Sequence, residues 1–169
     1  MTRYRNVEVD APKAPPTPEE LAAIEEAAGE PLPSDLLEFL EAANGGRLDY
    51  SFDLQTEAGP LPLCFYTLYS TRRPSPGRAS VALILGELEN ERRLKALRPG
   101  LLPIAGAGGT SVLYVDLAPE RRGRVVAYVE GLPGWDGTTE GCFVDLAPDL
   151  PSFLAGLYLN TVDEPRRGG

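Results

Sequence analysis

Two short helices, each with its own start and stop signal, are written into residues 17–46, and an alternating run follows them directly. Thr17 is a good N-cap, Pro18 suits the first helical position, and Glu20 stands three residues on, completing a capping box. Leu21, Ile24 and Ala28 fall on one stripe, Glu25 and Glu26 lie off it, and Gly29 suits the left-handed position after the last turn. Beyond Glu30-Pro31-Leu32-Pro33, Ser34 can cap a second helix with Asp35 in its first turn. Its apolar face holds Leu36, Leu37, Phe39, Leu40 and Ala43, with Glu38 and Glu41 toward solvent, and Asn44-Gly45-Gly46 ends it. Helices this short do not persist alone in water, so both must pack on something else. Leu48, Tyr50, Phe52 and Leu54 then alternate with Asp49, Ser51 and Asp53, the period of a strand with one buried face.

The rest of the chain supplies more strands. Gly59-Pro60 is a turn signal, and Leu61, Leu63 and Phe65 suggest a second extended stretch broken by Pro62. Residues 71–78 read as a loop carrying Arg72, Arg73 and Arg78, and residues 80–97 as a helix with Val81, Leu85 and Leu88 on one face and Leu94 and Leu97 continuing its apolar content. Extended runs are expected at 101–105, 112–115 and 125–129, with a brief one at Cys142-Phe143-Val144. A last helix is expected from Leu150 to Leu159, with Pro151 in its first turn. The order predicts an α+β fold: a single domain, mainly an antiparallel sheet covered by helices on one side. The organisation expected is an extended lead-in over residues 1–15, one domain over 16–160 and a flexible tail over 161–169.

Composition narrows the function. The 169 residues include no histidine, which removes the commonest general base and transition-metal ligand and rules out Ser-His-acid and Cys-His catalysis within the chain. Two cysteines, Cys64 and Cys142, are too few for a disulfide scaffold or a four-cysteine zinc site and read as buried thiols. Residues 1–60 hold 13 acidic and four basic side chains, whereas residues 61–169 are balanced, so the formal charge of −9 is the excess of the first third. Such a field repels nucleic acid and anionic membranes and attracts a basic partner; it also serves plain solubility. The charged start has no apolar segment after it, and the longest apolar run, Val81 to Leu85, is far too short to span a bilayer, so the chain reads as cytoplasmic.

Carboxylate chemistry is the remaining catalytic possibility. Asp49, Ser51 and Asp53 share the exposed face of the expected strand, with Glu57 close by, a pattern open to a hard cation or a two-carboxylate site and equally to a solvated strand face. Gly106-Ala107-Gly108-Gly109 lacks the Lys-Ser/Thr and the following helix of a phosphate loop and reads as a turn. Trp135, flanked by glycines and Asp136, either anchors an interface or plugs the core.

Four stretches together resemble the SMI1/KNR4-like domains of the SUKH superfamily: Pro16-Thr17-Pro18-Glu19-Glu20-Leu21 with Ile24, Glu25 and Gly29; Leu32-Pro33-Ser34-Asp35-Leu36 through Phe39-Leu40 to Asn44-Gly45-Gly46; Leu102-Pro103-Ile104-Ala105 with a strand closing on Asp116; and Phe143 before Phe153-Leu154. The resemblance implies a single α+β domain that binds another protein, with no shared catalytic set and no cofactor. Many bacterial members look like immunity proteins that neutralise toxins, often nucleases; fungal relatives act in cell-wall and growth regulation. The expectation is therefore a non-enzymatic immunity protein for a toxin with a basic surface, its candidate contacts Glu25, Glu26, Glu38, Glu41, Asp49, Asp53, Glu57, Trp135 and Asp136. The alternative is an intracellular scaffolding module without a toxin partner.

Overall fold

The computed structural model describes residues 1–72, 82–95, 97–106, 111–129 and 142–160. In chain order the elements are β1 (Thr2–Tyr4), β2 (Val7–Val9), α1 (Pro18–Ala28), α2 (Ser34–Ala42), β3 (Gly46–Thr56), β4 (Gly59–Leu68), α3 (Ile84–Lys95), β5 (Leu101–Gly106), β6 (Val112–Asp116), β7 (Val125–Val129), β8 (Cys142–Ala147), α4 (Leu150–Ala155) and β9 (Tyr158–Leu159). Seven strands form an antiparallel sheet in the order β8-β7-β6-β5-β4-β3-β9, and β1 and β2 form a separate hairpin. The architecture is the expected α+β one, an antiparallel sheet flanked by helices. Val81, Arg73, Arg78, residues 107–109, the 131–141 segment with Trp135 and Asp136, and the expected tail lie outside the described residues.

The first helix forms as its signals dictate. Thr17 is the N-cap and its hydroxyl accepts the Glu20 amide at 3.2 Å, Pro18 opens the helix, and Gly29 closes it with φ of 77°. The Glu20 carboxylate takes the hydroxyls of Thr17 at 3.2 Å and of distant Thr71 at 2.7 Å, so this residue both closes the cap and ties α1 to the chain after β4. The second helix starts differently from the expectation. Its N-cap is Pro33, with no side-chain cap, and Ser34 is already helical. Its face is as read: Leu36, Phe39 and Leu40 are buried.

Asn44 has a different role from a tolerant left-handed stop. The positive φ values belong to Gly45 and Gly46, while the buried Asn44 amide donates to Ala14 O (2.8 Å) and Thr71 Oγ1 (2.9 Å) and accepts from Thr71 N (2.9 Å). Gly46, at φ of 121°, is glycine for a second reason. A Cβ there would stand 2.6 Å from Asp10 O, where the segment after β2 pairs with Arg47.

Residues 1–15 are thus more than a lead-in. Val7 and Val9 are completely buried, and Asp10 and Lys13 bridge to Arg47 and Asn44. The V-E-V run is too brief to announce itself, and its burial comes from contacts distant in sequence. Pro62 does not break β4 either. It sits opposite Asp53 in the pairing with β3, in the part of β4 beyond the Thr67–Leu68 pairing with β5, where a missing N–H is tolerated as on an edge strand.

The sheet core has two covered faces at its centre. Every residue of β5 and β6 is buried. Leu113 of β6 points into the core cavity shared with Phe39 of α2 and Phe153 of α4, a space of only about 10 Å³, too small to hold a ligand. Its neighbour Tyr114 points the other way, and its hydroxyl donates to Glu91 of α3 at 2.5 Å. The helical cover on the first face is therefore joined by α3 on the second.

Glu91 is buried and pairs with Lys95 at 2.9 Å, whose ammonium lies 4.1 Å from the Tyr128 ring centre. The expected apolar face of α3 turns accordingly: Ile84 and Leu88 are buried, while Leu94 is 72% exposed. Burial pushes the Tyr114 hydroxyl far up, and its bond to Glu91 adds to this.

Glu87 of α3 provides a pH test. Burial first, and the Glu91 charge second, raise its carboxyl above the ordinary range, against an opposing Lys95. Between the unfolded and the raised folded pKa the native state binds more protons, so this residue's contribution to stability falls as pH rises through that window. Glu87→Gln should raise the melting temperature at neutral pH and leave it unchanged well below the ordinary carboxylate range. Equal effects at both pH values would contradict this.

Candidate partner-binding surface

The alternation of β3 places Leu48, Tyr50 and Leu54 in the core and Asp49 and Asp53 outside. On the adjoining β4, Leu63 and Phe65 face inward and Cys64 and Tyr66 outward. The sequence pattern on β3 predicts an exposed Ser51 as well, and the structure corrects this: Ser51 is 2% exposed.

The cause is β9. After α4, Gly156 packs so tightly under Phe52 that a Cβ would lie 2.7 Å from the ring, and the chain then runs extended along β3. Tyr158 pairs with Ser51 and Leu159 with Tyr50, in a stretch read from sequence as the end of the last helix.

A small network holds this end of the sheet. The Tyr158 hydroxyl donates to Asp53 Oδ1 at 2.6 Å, and Asn160 Nδ2 donates to Asp49 Oδ1 at 3.0 Å. Ser51 Oγ donates to Asn160 Oδ1 and lies 3.2 Å from Cys64 Sγ. The bond to Asp53, more than any burial, raises the Tyr158 hydroxyl above its ordinary value; Tyr66 is raised chiefly by its hydrogen bond with Cys64.

Both aspartates thus have neutral donors and, among the described residues, no cation. Other acids do have one. Asp10 pairs with Arg47, Glu30 with Arg122 at 3.2 Å, and fully buried Asp116 with Arg98 at 2.7 Å and Arg121 at 2.9 Å. On the same face stand Tyr66 and Tyr158, each 44% exposed; Leu159, paired with the inward Tyr50, points the other way at the sheet edge and is 61% exposed. A groove of about 380 Å³ runs along the sheet edge beside Asp49 and Leu159, lined also by Met1, Glu8 and Arg47 among others.

The expected contact residues do not converge. Asp49 and Asp53 lie on the outward face of β3, and exposed Glu57 sits in the turn between β3 and β4. Glu38 and Glu41 are exposed on α2, which packs on the opposite, core face of the sheet through Phe39. Glu26 is exposed on α1 and Glu25 half-buried there. One flat partner cannot touch both the α2 acids and the β3 acids.

As for metal chemistry, no three His, Cys, Asp or Glu side chains come together among the described residues. Sequence reasoning missed Tyr66, Tyr158, Leu159 and Asn160. Tyr66, one position out of phase with the inward Leu63 and Phe65 of β4, was a usable signal; the role of Asn160 had none, because it depends on β9 pairing.

The fold is a mixed α+β domain, and the outward face of β3 and β4 carries two acids and exposed tyrosine. The chain belongs to the SMI1/KNR4 family (SUKH-1), whose family model matches residues 15–156. The family is non-catalytic, in a superfamily broadly linked to protein–protein binding and immunity. No curated protein matches the chain. No helix among the described residues is long and apolar enough to cross a membrane.

Proposed function

We propose that this chain is a cytoplasmic immunity protein that neutralises a cognate toxin by binding it directly. The observation that carries the reading, within this binding family, is a pair of outward carboxylates, Asp49 and Asp53, oriented by neutral donors and without a cationic partner among the described residues. A nuclease toxin needs a basic cleft to hold phosphate, and a surface carrying outward carboxylates is complementary to it in sign. Complementary fields speed encounter and disfavour wrong partners, and blocking a cleft asks for no catalytic group in the inhibitor. Glu57 lies on the same hairpin; Glu25, Glu26, Glu38, Glu41, Trp135 and Asp136 are the further candidate contacts.

The test is co-production with the toxin domain encoded by the adjacent reading frame, in a sensitive host. Restored growth, a stable complex on gel filtration and an association rate that drops steeply with added salt are expected. Absence of both rescue and complex would overturn the reading.

A further inference from the structure

We infer that the docking face is the β9–β3–β4 end of the sheet, and that its occupant is a basic segment of the partner protein, bearing arginine or lysine beside apolar residues. This inference rests on the binding role proposed above and names the surface and the partner chemistry.

Three observations converge here. Of the five large apolar side chains exposed among the described residues, Tyr66 and Tyr158 share the outward face with Asp49 and Asp53; Leu159, paired with the inward Tyr50, and Met1 lie at the edge of the sheet beside it, and Leu94 is on α3. An apolar concentration rimmed by charge is what a protein-binding patch presents, whereas scattered single residues are ordinary surface. Second, among the described residues Asp49 and Asp53 have no ion pair to break on receiving a cation, because Asn160 and Tyr158 hold them with neutral bonds. Third, Tyr66 and Tyr158 stand to either side of the Ser51–Cys64 row, which the Asn160 side chain covers and so holds at a fixed level between them. A guanidinium or ammonium group resting on this face between the two tyrosines meets aromatic rings and carboxylates together.

The competing face is weaker on the same criteria. The exposed positions of α2 are Ser34, Glu38 and Glu41, charge without an exposed aromatic centre. Charges of that kind adjust encounter rates more than they anchor a complex.

The experiment is an NMR titration of the isotope-labelled full chain with a short peptide carrying arginines and leucines in a glycine–serine background, and with its sibling in which glutamates replace the arginines. The arginine peptide should shift the amides of Asp49 to Asp53, Cys64 to Tyr66 and Tyr158 to Leu159, and the glutamate peptide should not. Asp49→Asn with Asp53→Asn should weaken the arginine peptide by about tenfold, and Tyr66→Ala by a similar factor. Glu38→Gln with Glu41→Gln should change it by less than about twofold. Melting curves of each variant confirm that it is folded.

Shifts centred on α1 or α2, no shifts at all, equal binding of both peptides, or a larger loss from the α2 pair would each overturn the inference. If the peptide maps to this face while neutralisation of the neighbouring toxin fails, the toxin reading falls and the docking face stands. If neutralisation succeeds and survives the β3 substitutions, the docking face falls alone.

Discussion

Phe153→Ala should destabilise the protein by about 3–5 kcal/mol and release β9 from the sheet. Phe153 is 2% exposed and stands at the junction of α4 with the inner face of the sheet. Its ring centre lies 5.0 Å from that of Phe52, nearly stacked at 26°, and 5.8 Å from that of Phe65, edge-on at 74°. Such pairs add to the area they bury.

Truncation removes the hydrophobic contribution of a large ring and leaves a cavity in a core that holds almost no free space to absorb collapse. The consequence reaches the candidate surface, because α4 has only six residues and cannot persist without packing, and β9 pairs with β3 through only two. The measurements are the denaturant midpoint and hydrogen exchange at the amides of Tyr158 and Leu159, with Val115 as an internal standard. An unchanged midpoint, or β9 amides as protected as in the parent, would show that α4 does not hold this end of the sheet.

Leu40→Ala is expected to cost roughly 2–5 kcal/mol, and Leu36→Ala a similar amount. Both side chains are essentially sealed from solvent, at 1% and 0% exposure, on the face of α2 that carries Phe39 into the core. Leu37, one position round the helix, is half-buried, so Leu37→Ala should cost clearly less. Denaturant midpoints of the three variants at a constant slope provide the comparison. A larger loss at Leu37 than at Leu40 would mean that the buried face of α2 is wrongly placed.

Those two predictions differ in how far they were legible before the fold was known. The buried face of α2 follows from apolar spacing alone, and α1 follows from Thr17, Pro18, Glu20 and Gly29, because capping and periodicity act within a few residues of each other. The same holds for the inward and outward positions of β3, except at Ser51. A strand neighbour covers that residue, and the neighbour comes from more than a hundred positions away. The site was readable to the same depth. Asp49 and Asp53 are exposed as expected, but their separation from Glu38 and Glu41 by the thickness of the sheet depends on which face α2 packs against.

Spacing and end signals in the chain therefore specified two short helices and the cap of the first, an alternating β3, the paired runs from Leu101 to Val129 and the absence of any imidazole chemistry. Only the folded chain decided that Val7 and Val9 are core, that Asn44 clamps Ala14 to Thr71, that Glu91 lies buried against Tyr114, and that Tyr158 and Asn160 aim the two aspartates. The reason is range. A cap or a periodic stripe is a bond or a face formed among near neighbours, whereas each of these four outcomes needs a partner brought close by the closing of the whole sheet.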